Sequence, residues 1–338
     1  MTWKTHLKGD TVSWLLGVDP PGVRYLALRD LAGFPSEDPE LKAAADSAHR
    51  EGPISVILEN MIEPGFWARP GAGYNPKYRS AVWSLVTLGQ LGASVEYDPR
   101  IEKACMYLLD HALTENGQFS MNGTPSGNID CLQGNLCTAL LELGVDDARL
   151  EKAFDWMARS VIGDGIAPLE DKRAELRYYA YQCGPGFACG ANGSQPCAWG
   201  AVKVMLAFSK LPRERHTPLI DRAIEQGVAF LLSVNPVEAA YPTRTGSKPN
   251  RSWWKFGFPV FYVTDLLQNV EALVRLGYGS DPRLADAIRF IEEKQDSSGR
   301  WALEYDYTGK TWYDFGEKKQ PNKWVTLRAA RVLKYVYQ

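Results

Sequence analysis

Three cysteines, Cys183, Cys189 and Cys197, fall within fifteen residues of one Gly- and Pro-rich stretch, YQCGPGFACGANGSQPCAWGAVK (Tyr181–Lys203). Two more, Cys131 and Cys137, follow Asp130 upstream. Thiolates in this number suit a soft tetrahedral ion such as zinc. Cys131, Cys189 and Cys197, with Cys183 or Asp130 as fourth donor, make one such set. Three thiolates leave a position open for water or substrate, whereas four close the site. The spacing C-x5-C-x7-C is not that of a standard zinc finger or knuckle. Burial as small apolar side chains is the competing fate of these cysteines.

A repeated helical pattern must bring these residues together. Ser80 to Leu91 reads as an apolar helix ending at Gly92, followed by the turn YDPR and an amphipathic second helix. The same order recurs from Leu132 to Gly144 with DDAR, from Ala198 to Leu211, and from Asp265 to Gly277 with SDPR. Glycine suits the position after a helix, and Asp-Pro suits the start of one. Partial units at Gly22 to Leu31 and Lys323 to Tyr337 raise the first helices to six, near residues 24, 80, 133, 198, 265 and 324. The first helices are the more apolar and are expected inside, with the second helices carrying polar outer faces. No series of alternating runs with hairpin turns predicts strands. Cys131 then opens the third inner helix and Cys197 the fourth. Neighbouring inner helices pack ~8–10 Å apart, so thiols at one rim are expected to meet, while Cys137 points elsewhere.

Composition limits the functions available. The 338 residues carry a net charge of −2, with 45% hydrophobic and 23% charged residues. No basic excess exists to neutralise phosphates, which argues against nucleic-acid binding. The N-terminus shows no basic segment followed by an apolar core, and no apolar run reaches the ~20 residues of a membrane span. The expectation is a cytoplasmic protein with reduced thiols and a single domain over residues 1–338. The oligomeric state is not legible. No G-x-S-x-G and no Gly-rich phosphate loop is present.

QDSSGRW (Gln295–Trp301), with Phe290 before it, fits the Q-x3-G-x-W repeat of squalene and oxidosqualene cyclases, and NGQF (Asn116–Phe119) and Gly163–Ile166 resemble degraded copies. Over residues 10–338 the chain resembles the bacterial prenyltransferase and squalene-oxidase repeat proteins of the terpenoid cyclase and protein prenyltransferase superfamily. That resemblance implies an all-α (α/α)6 toroid with a central cavity and function at its mouth; it specifies the reaction poorly. The D-x-D-D acid run of squalene-hopene cyclases is absent, as is the aspartate-rich motif that binds magnesium diphosphate. Asp130-Cys131 resembles the Asp-Cys pair of oxidosqualene cyclases, whose acid is helped to hold its proton by cysteine neighbours. Asp130 also suits a plain helix cap before CLQGNLCTALLEL, and Asp265 has the same ambiguity.

The candidate catalytic set is therefore Asp130, Cys131, Tyr78 and Asp265, with zinc as the possible cofactor. Lys203, Trp83, Trp199, Phe258 and Tyr262 are expected around a small hydrophobic or amphiphilic substrate, where aromatic faces stabilise carbocations. Lys77, Arg79, Arg244, Lys248, Arg251 and Lys255 suggest a cationic rim or simply a solvated face. These residues fit a lyase, isomerase or cyclase working by acid or Lewis-acid chemistry. A zinc-dependent hydrolase or transferase and a non-catalytic binding toroid with a structural metal are the alternatives.

Overall fold

The structure, a computed structural model, describes residues 2–167, 171, 173, 183–246 and 248–338. Tyr181 and Gln182, which open the cysteine stretch, lie outside the described residues, as does much of the Ile166 to Pro196 connection. The helices are α1 (Thr11–Leu15), α2 (Pro21–Ala27), α3 (Pro39–Arg50), α4 (Pro53–Glu59), α5 (Ala81–Leu91), α6 (Pro99–Ala112) and α7 (Asp130–Glu142). They continue as α8 (Arg149–Ile162), α9 (Ala198–Lys210), α10 (Pro218–Leu231), α11 (Leu266–Leu273), α12 (Ala285–Glu293) and α13 (Lys323–Tyr337). Several open on proline, whose missing N–H costs nothing where no helical acceptor exists.

The six apolar helices predicted from the sequence are α2, α5, α7, α9, α11 and α13. Each packs on the next, and α13 returns to α2, so the contacts form a closed circuit. Nearly every side chain of α5 is buried, whereas α8 buries one face and exposes the other. The outer helices α3, α6, α8, α10 and α12 follow their inner partners, and α6, α8 and α12 do so through turns of one design. Asp98, Asp147 and Asp281 each accept the backbone N–H two residues on, at 2.9, 2.8 and 2.9 Å, and pair with the side chain of that same arginine. Gly92 and Gly144 end α5 and α7 with φ of 78° and 83°, a left-handed turn that a side chain would strain.

The Gln295–Trp301 motif closes the circuit. Gln295 Nε2 donates to the His6 and Glu292 carbonyls at 2.9 and 3.1 Å, and its Oε1 accepts from Lys8 N at 3.0 Å. Trp301 Nε1 donates to the Ile291 carbonyl at 2.8 Å. Trp67 does the same to Ile57 at 2.7 Å, ten residues back in each case, in a repeat copy too degraded to read from sequence.

One local feature departs from the sequence reading. The cysteine stretch forms a small antiparallel sheet of β1 (Cys183–Gly184), β2 (Ala188–Cys189) and β3 (Gln195–Pro196), in the order β1-β2-β3. Its strands are two residues long, too short for any alternation to announce them. The pairing sets Cys183 opposite Cys189 and Ala188 opposite Pro196, which leads Cys189 back towards Cys197 at the N-cap of α9.

The α7–α9 contact is the closest in the ring, and glycines make it so. A Cβ built on Gly134 would lie 2.4 Å from the Lys203 carbonyl carbon, and one on Gly200 would lie 3.0 Å from the Asp130 Cβ. Backbone against backbone leaves no water between the helices. Gly134→Ala is expected to wedge them apart, costing about 1–3 kcal/mol or more. Chemical denaturation measures that loss, and an unchanged midpoint would show that the seam yields.

Candidate acid–thiol site

Asp130 is the first residue of α7, where its carboxyl meets Gly200 of α9 instead of solvent. It does not cap the helix. Ile129 occupies the N-cap position, no side-chain cap bond forms, and Asp130 Oδ2 is buried without a hydrogen-bond partner. Burial pushes this carboxyl up to about 8, with the charge of Cys189 adding to the effect and the Cys183 thiol offsetting part of it. At neutral pH the group is a protonated acid.

The polar neighbours of Asp130 are otherwise satisfied. Gln133 uses its whole amide: Oε1 accepts from Phe119 N and Asn128 Nδ2 at 2.7 and 2.8 Å, and Nε2 donates to the Gly117 and Ala153 carbonyls at 2.9 and 3.0 Å. Asn128 is thereby turned so that its Oδ1 faces Trp156 Nε1 at 3.2 Å and Cys183 Sγ at 3.3 Å. Sequence reasoning missed Asn128 and Gln133; a glutamine at position 133 inside an apolar helical run is a signal for the latter, while Asn128, ahead of the helix, carries none.

The four thiols of the expected metal set do approach one another. Cys131 and Cys183 are each raised by burial first and then by the charges of Asp130 and Cys189, Cys131 reaching about 12. Cys189 goes the other way, to about 6, lowered first by the neighbouring Cys197 thiol, against burial, and then by the nearby backbone N–H groups of Asn192 and Ala191. Cys197 in turn is pushed up as the donor of that pair. The arrangement is one thiolate held among thiols that keep their protons. Among the described residues no group of three or more His, Cys, Asp or Glu side chains is placed to hold a metal ion. The expected ligand set of Cys131, Cys189, Cys197 and Cys183 is thus a thiol cluster in geometry. Cys137 does point elsewhere, fully buried near Gln133.

Cys131 and Cys197 are partly exposed, at the starts of α7 and α9 at the N-terminal end of the inner helices. Across that end lies an aromatic cluster. Tyr78 and Tyr262 share a hydrogen bond of 3.0 Å between their hydroxyls, and Lys77 Nζ sits 4.9 Å above the Tyr262 ring. Tyr78 packs within 5.4 Å of Trp83 and Phe261 and 4.6 Å of Tyr307. Its φ of 73° is costly for a bulky residue, so the surrounding packing must hold it in place. Burial and then Tyr262 raise the Tyr78 phenol, which stays neutral. Tyr74 is also raised by burial, and next by the nearby Cys131 thiol.

Other expected site residues have different roles. Asp265 is no free acid: it caps α11 through Gln268 N at 2.8 Å and holds Arg328 in a buried two-pronged pair, both bonds 2.9 Å. Lys203 is fully buried, its ammonium bonded to Gln268 Oε1, and burial lowers it to about 7 despite Asp265. Trp83 is core, its Nε1 donating to the Tyr74 carbonyl at 2.7 Å. Phe258 stacks on Trp324 at 4.8 Å and lines a cavity at the opposite end of the ring. Trp199 is half-buried against the core in the first turn of α9. Of the basic rim, Lys77 lies over Tyr74 and Tyr262, and Arg79 lies 5.3 Å over Trp312.

No protein-family description matches the chain, and no curated protein matches its sequence. Among solved structures it is similar to the apo type II terpene cyclase MstE from Scytonema, with a TM-score of 0.31 and 13% identity over 87% of this chain and 97% of that one. At that degree of superposition the match says nothing of the reaction. Among the described residues, no helix is long and apolar enough to cross a membrane.

The thiol geometry has a direct consequence. At pH 7 iodoacetamide is expected to label Cys189 first, ahead of the buried Cys105, as read by peptide mass mapping. Cys197→Ala removes the S–H that holds the thiolate and should slow that labelling roughly tenfold or more. Equal rates at Cys189 and Cys105 in the native protein would contradict the arrangement.

Proposed function

We propose that this chain is a terpenoid-cyclase-like enzyme, an (α/α)6 toroid in which Asp130 donates a proton to a hydrophobic or isoprenoid-like small molecule. The substrate is taken to occupy a space between the N-terminal ends of the inner helices, beside Cys131. One observation carries the reading: the Asp130 carboxyl is buried, protonated at neutral pH, and has an unpartnered oxygen. A neutral carboxylic acid in dry surroundings keeps its proton until a substrate accepts it, and the cation so formed offsets the charge left on the carboxylate. The glycine at position 200 brings a second helix over it and keeps water out. Cys131, next to Asp130, and the Cys183 thiol supply polarity without a competing charge at neutral pH.

The chemistry divides simply among the residues. Asp130 supplies the proton; the tyrosine and tryptophan cluster around Tyr78 and Tyr262 presents ring faces and edges suited to a developing cation. The product is an isomerised or cyclised hydrocarbon, and the proton lost from the cation returns to the carboxylate. No converging ligand set supports a zinc-dependent alternative. A non-catalytic binding toroid has no use for a buried orphan carboxyl.

Linear isoprenoid alkenes incubated with the protein and followed by gas chromatography and mass spectrometry test this. Product formation should fall as pH rises through about 8, where Asp130 loses its proton, and drop ~10²–10⁴-fold in Asp130→Asn. Stability should fall in the same direction of pH. The raised carboxyl favours the folded state fully below the ordinary value of 3.8, and that contribution is lost as pH rises through about 8. Above pH 8, Asp130→Asn should therefore melt at a higher temperature than the native protein. Undiminished product in Asp130→Asn would remove the acid from the mechanism.

A further inference from the structure

The C-terminal ends of the inner helices enclose a cavity of about 400 Å³, lined by α5, α7, α9, α11 and α13 and by residues beside α2. Its lining on α7 runs from Asn135 to Glu142, roughly 7.5 to 18 Å along the helix from Asp130 at 1.5 Å per residue. Lys203, Gln268 and the Asp265–Arg328 pair stand between the two ends. Six cationic side chains line the cavity against three acidic ones; setting aside Arg328, already held by Asp265, leaves five against three.

Helix C-termini attract cations of their own accord, and Lys334 is used that way, donating to the Asp30 carbonyl at 2.9 Å. The others are not so explained. Arg29 bonds Asp30 at 2.6 Å, Arg331 pairs with the same carboxylate, and Lys210 pairs with Glu142. Arg275 has the Tyr335 hydroxyl and sits 4.8 Å over that ring. After these pairings the Nε groups of both Arg275 and Arg331 are buried with no acceptor. A guanidinium N–H removed from water without a partner is costly, and two at one cavity mark a place for an acceptor. Leu26, Val86, Leu206, Phe258 and Val260 supply apolar wall beside them.

We infer that this cavity binds a small organic anion, its carboxylate or phosphate oxygens received by the guanidinium groups of Arg275 and Arg331. Guanidinium forks match both groups with two parallel bonds. The apolar wall takes the carbon skeleton. The site is separate from the acid end, so its occupancy does not depend on the proton-transfer reading.

Titration calorimetry of the full chain with succinate and with inorganic phosphate, at fixed ionic strength in chloride, tests the inference. Saturable one-to-one binding of at least one anion is expected, and the tighter of the two identifies the recognised group. Arg275→Gln should weaken it tenfold or more. Glu271→Gln, which removes an acid from the same wall, should tighten it several-fold, and it carries the test alone if the arginine variant does not fold. Asp130→Asn should leave it unchanged. Absence of saturable binding by either anion, or equal affinity in the native protein and both wall variants, would overturn the site.

Discussion

The glycine seam between α7 and α9 is the constraint on which the rest of this molecule depends. Gly134 against the Lys203 backbone and Gly200 against Asp130 let two inner helices touch without side chains between them. A carboxyl at a helix start normally faces water or caps the helix. Here the seam turns it inward, and the neighbouring residues fill their hydrogen bonds with one another. The cost of burying an unpaired carboxylate then falls on Asp130, which avoids it by remaining protonated.

The same seam sets the character of both ends of the ring. At the N-terminal end, burial keeps Asp130 and the thiols other than Cys189 neutral, and Tyr74 lies near Cys131. At the other end, α7 and α9 contribute Glu142 and Lys210 to a cavity full of charge. Between the two lies a buried polar layer in which Asp265 neutralises Arg328 and Lys203 leans on Gln268. The same circuit of helices thus holds a buried carboxyl among thiols at one end and a cavity lined by charged side chains at the other.

Much of the scaffold was legible because its signals are local and repeated. Apolar runs ending in glycine, Asp-Pro-Arg turns and the Gln295–Trp301 motif place six inner helices where the structure has them. The proximity of Cys131, Cys183, Cys189 and Cys197 was also legible, as it follows from neighbouring helix starts. What those thiols do was not, because metal binding requires convergence on a point and spacing gives only nearness. Asp130 and Asp265 look alike in sequence, each before an apolar helix. Only tertiary contact separates them: Arg328 and the N-terminus of α11 take Asp265, while Gly200 closes over Asp130. Phe258 and Lys203 were expected at the mouth, but the depth of a residue along a helix is not its position in a cavity. The charged cavity drew no attention because its residues come from five helices and share no motif.

The central claim is that Asp130 is a neutral acid in the folded protein at physiological pH. Carboxyl-selective ¹³C labelling of aspartate, with Asp130→Asn to assign the resonance, measures this directly. The account predicts a protonated carboxyl signal for Asp130 at pH 6.5 that titrates near pH 8. A carboxylate signal for Asp130 throughout the range above pH 5 would contradict it.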